Sequence, residues 1–364
     1  MSSHHPYRDL PDHRHWQRGV ATPALQDPGH VDPVVRPAFR IAPQARIATA
    51  GSCFAQHVAR HLALHGVPPF VTERAHPLVP DDLASAWGYG DFGARYGNVY
   101  TARQLLQLML RAFGELLPAD ETWRNAAGRW VDPFRPRAHG DGTATLQELR
   151  ADRAQHFAAV RRLFAELDVF VFTLGLTEAW ASADDGAVYP VCPGVVAGTF
   201  DPARHVLQNH GVDEVVADLD LFLRLLRSIN PRADVVLTVS PVPLVATALD
   251  RHVVVSTAYS KAVLRVAAEE IAAAHERVAY FPSLEIISSP FSRGAYFAPD
   301  LRSVTEAGVS HVMRLFLHHY LGLEGAARMT PGAPSARDTA AEAYLREADA
   351  VVQVMCDEEA LGHA

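Results

Sequence analysis

Lysine is nearly missing from this chain. Of 33 basic side chains only Lys261 is lysine, and the others are arginine. A nucleotide bias that exchanges lysine for arginine wherever either serves explains the depletion. Under that bias Lys261 either survives by chance or marks a place where a compact charge that can lose its proton is wanted, not a planar fork that stays charged. Cysteine is scarce too. Cys53, Cys192 and Cys356 are odd in number and far apart, which excludes a disulfide scaffold and makes a reducing cytoplasm the expected setting. Long apolar runs are absent. The longest stretch, Leu167–Leu176 (LDVFVFTLGL), falls well short of the roughly 20 residues that span a bilayer and suits a buried strand. Residues 1–30 hold His, Pro and Asp with no apolar core, so no secretory signal is expected. Basic residues are not in excess: the net charge is -8. No basic stripe is visible, which argues against a dedicated nucleic-acid binder. No internal repeat is found.

What is present is ordinary globular chemistry: 364 residues, 49% hydrophobic and 20% charged, enough for one large domain or two modest ones. Residues 1–44 read as an irregular N-terminal arm, 45–325 as the main domain, 326–338 as a linker and 339–364 as a helical tail. The tail's apolar spacing offers a contact to the body or to a second subunit, and a homodimer through it is one expectation. Within the domain, apolar strands are predicted at 45–50, 168–174, 234–240 and 278–282, with a weaker one at 69–72. Helices are predicted at 54–65, closed by Gly66, and at 146–167, 212–228 and 257–275. Apolar strands alternating with helices indicate a three-layer, doubly wound parallel α/β sheet with loop insertions. Such sheets build their sites beyond the carboxyl ends of the strands. Two long loops, 80–98 and 181–209, read as lids or insertions.

The first strand runs into Gly51-Ser52-Cys53 and then a helix. A cysteine at a helix N-terminus has its thiolate favoured by the positive end of the dipole. Backbone N–H groups at the same place hold an oxyanion. The plainer reading makes Ser52 an N-cap and Cys53 a small buried residue. Lys261 follows Thr257 and Ser260 at a helix start, where a cation opposes the dipole. It is a candidate for holding a substrate anion, or Asp300 or Glu178, against the bland alternative of a surface lysine. His57, His61 and His65 share a helix face, but one straight helix does not wrap three ligands around a metal. No metal and no cofactor are expected. Cys356, in an acidic tail, has its thiolate disfavoured.

Residues 51–55 read GSCFA. With GNVYT at 97–101, FTLGLTEAW at 172–180, TVSPVPL at 238–244 and YSK at 259–261, the chain resembles the GSCFA-domain family, relatives of the SGNH (GDSL-type) hydrolases. The resemblance spans roughly residues 45–320. It implies an SGNH-like α/β fold in which Gly51 takes the glycine place of the first block and Cys53 the nucleophile place, with Ser52 as the other candidate. It sets Gly175-Leu176-Thr177-Glu178 on the later G-x-N-D block, with Thr177 where an oxyanion-hole Asn stands. Gly97 and Asn98 fall on the block that supplies a further oxyanion donor. The last block, D-x-x-H, becomes Asp300-Leu301-Arg302-Ser303: the aspartate is kept and the histidine base is lost. Ser303-Val304-Thr305-Glu306 reads instead as a capping box. A thiol needs less help from a base than a hydroxyl, so this loss suits Cys53 better than Ser52. His252 is the first choice for a replacement base, oriented by Asp300 or Glu178. His57 is one that tunes the thiol, and His311 is core or surface.

The expected function is acyl transfer through a covalent intermediate, on a small-molecule or carrier-bound acyl substrate. Cys53 or Ser52 is the nucleophile, and Gly51, Asn98, Thr177, Lys261 and His57 surround the oxyanion and substrate. Water as acceptor gives an esterase or thioesterase, and a hydroxyl gives an O-acyltransferase. The alternatives are a cysteine enzyme acting on a non-acyl electrophile and a non-catalytic ligand-binding relative of the hydrolase fold.

Overall fold

The computed structural model describes residues 5–21 and 27–323, with Cys53 as backbone only. The linker and tail expected at 326–364, the dimer contact resting on them and Cys356 lie outside the described residues. The N-terminal arm contains short helical turns, α1 (Trp16–Gly19) and the 3-10 turns Asp12–Arg14 and Pro28–His30, and is tied to the end of the domain. Ile41 donates its N–H to Tyr320 O (2.7 Å), and His319 meets Asp32 at 2.7 Å.

The domain opens with β1 (Ile47–Gly51), buried throughout, and α2 (Cys53–Leu64). The left-handed Gly66 follows, at φ 78°, as a helix stop requires. Next come α3 (Asp81–Ala86) and α4 (Ala102–Phe113). The second has a capping box: Thr101 accepts from the Gln104 N–H, and the Gln104 side chain answers on the Thr101 N–H. A two-residue hairpin, β2 (Trp123–Arg124) and β3 (Trp130–Val131), precedes α5 (Leu146–Glu166), capped by Thr145 and Glu148. Then follow β4 (Val169–Leu174), the short strands β5 (Glu178–Ser182), β6 (Val188–Tyr189) and β7 (His205–Asn209), and α6 (Val212–Ile229). The chain continues through β8 (Asp234–Val239), α7 (Val253–Ala274), β9 (Val278–Phe281), α8 (Ser283–Ser288) and α9 (Glu306–Phe316).

Four strands form one parallel sheet in the order β1-β4-β8-β9. Alternation along the strands sends side chains to two cores. Ala48, Phe170, Phe172 and Leu237 meet α4 to α7 on one face. Ile47, Val171, Val236 and Phe281 meet α2, α8 and α9 on the other. The sheet is thus the middle of three layers. Among the described residues, no helix is long and apolar enough to cross a membrane.

Four sequence expectations change. Residues 69–72 lie extended beside β1, with Phe70 N–H on Ile47 O (2.8 Å), but form no strand. Pro68 and Pro69 have no N–H to give a ladder. The second long loop is partly built into strands, since β5, β6 and β7 make a small antiparallel sheet in the order β6-β5-β7. Helix α7 starts at Val253, not Thr257, because His252 Nδ1 caps it by accepting the Val254 N–H. The cap of α9 is Thr305, which accepts from the Gly308 N–H; Ser303 bonds to Asp300 instead.

Candidate active site

The carboxyl end of β1 turns into α2 through Gly51. Its φ of 144° is one that side chains rarely adopt, and a β-carbon there would stand 2.5 Å from Thr173 O on the neighbouring strand. Only glycine lets β1 press against β4 and turn at once. Ser52 follows in extended conformation at the N-cap, yet its side chain makes no capping bond. Its Oγ is buried and has no hydrogen-bond partner among the described residues. The plain N-cap reading of Ser52 therefore describes its backbone and not its hydroxyl. Cys53 is the first residue of α2, where the N–H groups of the first turn have no intrahelical acceptor.

The segment 97–101 crosses the ends of β1 and β4 and is sewn to both. Val99 donates its N–H to Gly51 O (2.9 Å), and Tyr100 O accepts from Gly175 N and Leu176 N (both 2.9 Å). This fixes Asn98, which is buried. Asn98 Oδ1 accepts from Gln56 Nε2 of α2 (3.2 Å), so the Asn98 carboxamide is held with its acceptor end toward α2. Gly175 packs close: a β-carbon there would lie 3.4 Å from Ser52 Cβ. Lys261 reaches the same turn from α7. It is 7% exposed and donates from Nζ to Gly175 O at 2.7 Å, so it is not a surface lysine. Gly51, Ser52, Asn98 and Lys261 thus converge on the β1–β4 end of the sheet.

The other expected residues stand apart from this convergence in their recorded contacts. Thr177 donates its N–H to Ser260 Oγ (3.1 Å) and its hydroxyl to Asn209 Oδ1 (2.7 Å), so both of its donors are spent on structure. Glu178 accepts from Thr247 Oγ1 (2.7 Å), in a chain that continues through Ser256 to Arg251. His252 is exposed and caps α7. Asp300 is exposed and closes its own turn, accepting from the Arg302 and Ser303 N–H groups and the Ser303 hydroxyl. Those bonds hold its carboxyl below the usual range, the Ser303 hydroxyl bond first. His311 is core: it bonds Tyr296 OH and Val31 O, and burial pushes it down to about 4.

His57 lies one turn along α2 from Cys53. Burial, helped by nearby Arg60, pushes it down to about 4 against the opposing pull of Glu306, so it is neutral at pH 7. His61 faces Glu306 of α9 at 3.3 Å, and His65 Nδ1 turns to His61 O (2.8 Å). Among the described residues no group of three or more His, Cys, Asp or Glu is arranged to hold a metal ion.

A cavity opens beside Gln56 and Asn98 and runs between the first long loop and the segment after β3, with Trp87, Asp91, Phe134 and Arg137 in its walls. Its frame is a buried ion-pair network. Arg95 bonds Asp152 (3.1 Å), the Trp87 carbonyl (3.1 Å) and Tyr89 OH (2.7 Å). Arg135 bonds Asp152 (2.8 Å) and Asp132 (3.2 Å). The loop is thereby fastened to α5 and to the hairpin. Asp91 is the cavity residue that sequence reasoning missed. Burial pushes its carboxyl up to about 6, against the pull of Arg60. Its one sequence signal was a carboxylate between Gly90 and Gly93 in a loop already read as functional.

A comparison with curated proteins finds no match. The GSCFA family model matches residues 46–316, which include the Gly51 turn, the cavity loop, Lys261 and the whole parallel sheet, and the chain belongs to the GSCFA family.

Proposed function

We propose that this protein is an acyl-transfer enzyme of SGNH-hydrolase type whose nucleophile is Cys53. The observation that carries the reading is the glycine turn at the carboxyl end of β1, which packs Ser52 against Gly175, the residue whose carbonyl Lys261 holds, and starts α2 at Cys53. The helix start favours a thiolate. The thiolate attacks an ester or thioester carbonyl. First-turn N–H groups of α2, with Asn98, meet the oxyanion that forms. Ser52 is the weaker nucleophile, because a hydroxyl needs a base in hydrogen-bond reach and the Ser52 hydroxyl has no such partner among the described residues. Water or a hydroxyl then takes the acyl group, from a small-molecule or carrier-bound donor that enters along the cavity by Gln56.

The test is mass spectrometry after brief exposure to a p-nitrophenyl ester or a generic acyl thioester. An acyl adduct on Cys53 is expected, absent in Cys53→Ala and kept in Ser52→Ala. An adduct that survives in Cys53→Ala and vanishes in Ser52→Ala transfers the role to the serine. No adduct in any form, with equal turnover in Cys53→Ala and the unaltered protein, ends the covalent reading.

A further inference from the structure

The proposed reaction has two halves, and the acyl-enzyme of the second half must be attacked by a water or hydroxyl that is too weak a nucleophile unaided. His252, the first choice for a base, is committed to a helix cap, and the carboxylates expected to orient it are committed as well, Asp300 to its own turn and Glu178 to Thr247. Asp91 is not so committed. It is partly buried, and among the described residues it has no hydrogen bond or ion pair. Its carboxyl is partly withdrawn from water, which disfavours its charge, while the charge of Arg60 on α2 favours it. It lines the cavity together with Gln56 and Asn98. Gln56 stands in the first turn of α2, the turn that begins at Cys53. The loop that carries Asp91 is rigidly framed, because Arg95 and Asp152 hold it on α5.

We propose that Asp91 is the general base that activates the acyl acceptor in this cavity, an inference that rests on the covalent reading above. The Asp91 carboxylate takes the proton of the acceptor O–H, and the acceptor oxygen forms its bond to the acyl carbon. The C–S bond to Cys53 breaks, and the departing sulfur receives the proton that Asp91 has taken. No other reactant is required.

The charges around Asp91 set its working range. Arg60 of α2 favours the carboxylate. Across the cavity, Arg95 and Arg135 are bound to Asp152, and Arg137 lines the wall. Burial opposes all of them and lifts the group to about 6. It is therefore ionised at pH 7 yet basic enough to accept a proton, and deacylation should fall as pH drops through about 6.

The experiment follows p-nitrophenol release from a p-nitrophenyl ester in the unaltered protein, Asp91→Asn and Asp91→Glu. The initial burst reports acylation, and the steady rate reports deacylation. Asp91→Asn is expected to keep the burst within about threefold, to lose roughly 10²–10³-fold in the steady rate and to lose the acid limb near pH 6. The acyl adduct on Cys53 then accumulates. Asp91→Glu should recover part of the steady rate. The burst itself shows that each variant is folded. A steady rate and pH profile unchanged in Asp91→Asn overturn the assignment alone, as does a burst lost together with the steady rate. No burst and no adduct in the unaltered protein overturn the covalent reading, and Asp91 with it.

Discussion

The carboxyl edge of the parallel sheet has two unlike halves. At the β1–β4 end, Gly51, Asn98, Gly175 and Lys261 come from four separate parts of the chain, and their bonds are long-range and buried. At the β8–β9 end, His252 and Asp300 bond backbone groups two or three residues away and face solvent. A site that must keep atoms in place over many turnovers needs the first kind of support, since local caps fix a turn and nothing beyond it. On the SGNH-type reading proposed above, Asp300 would belong to the block that carries the base. Asp300 is instead bonded to the Ser303 hydroxyl of its own turn.

The comparison is open to direct attack. The largest effect is expected for Gly51→Ala. The backbone there is left-handed and the added carbon meets Thr173 O, so a loss of about 3 kcal/mol in denaturant unfolding is expected. A loss under about 1 kcal/mol would mean that the β1–β4 junction is softer than its geometry. Next is Lys261→Met, which removes a charged hydrogen bond from a buried carbonyl and should cost about 2 kcal/mol. Lys261→Arg keeps the charge but not the shape, and should lower turnover clearly; full turnover would return this lysine to mutational accident. The smallest effects belong to the other half. His252→Ala should cost about 1 kcal/mol through the lost cap. Asp300→Asn keeps an acceptor for the Arg302 and Ser303 N–H groups, so it should stay within about 0.5 kcal/mol. Both should leave steady-state turnover unchanged. A hundredfold fall in either would place chemistry at the β9 end after all and erase the distinction between the halves.

The sequence made the parallel sheet legible because its four strands are apolar on both faces and stand between helical segments. Their bounds agree within a residue or two with Ile47–Gly51, Val169–Leu174, Asp234–Val239 and Val278–Phe281. Helix α4 is not among the predicted helices, although Thr101 and Gln104 spell a capping box ahead of an apolar stripe. The small antiparallel sheet in 181–209 was hidden because its strands are short and Gly and Pro lie between them. At the site, Gly51 and Lys261 could be picked out because each is a residue whose neighbours in sequence do not explain it. Asp91 could not. Its place on a cavity wall with Gln56 and Asn98 is something no linear pattern encodes. The structure places His252 at the cap of α7, and position after a strand's end does not say whether an imidazole points to a crevice or to its own helix.

The solitary lysine also has an experimental consequence. Lys261 Nζ is the only side-chain amine of the chain, and it is shut inside at the junction of β4 and α7. Amine-directed acylating reagents should leave this side chain untouched in the native protein and mark it only when that junction opens. The rate of marking at Lys261 is then a clock for the opening of the sheet, read from one residue without any engineered label.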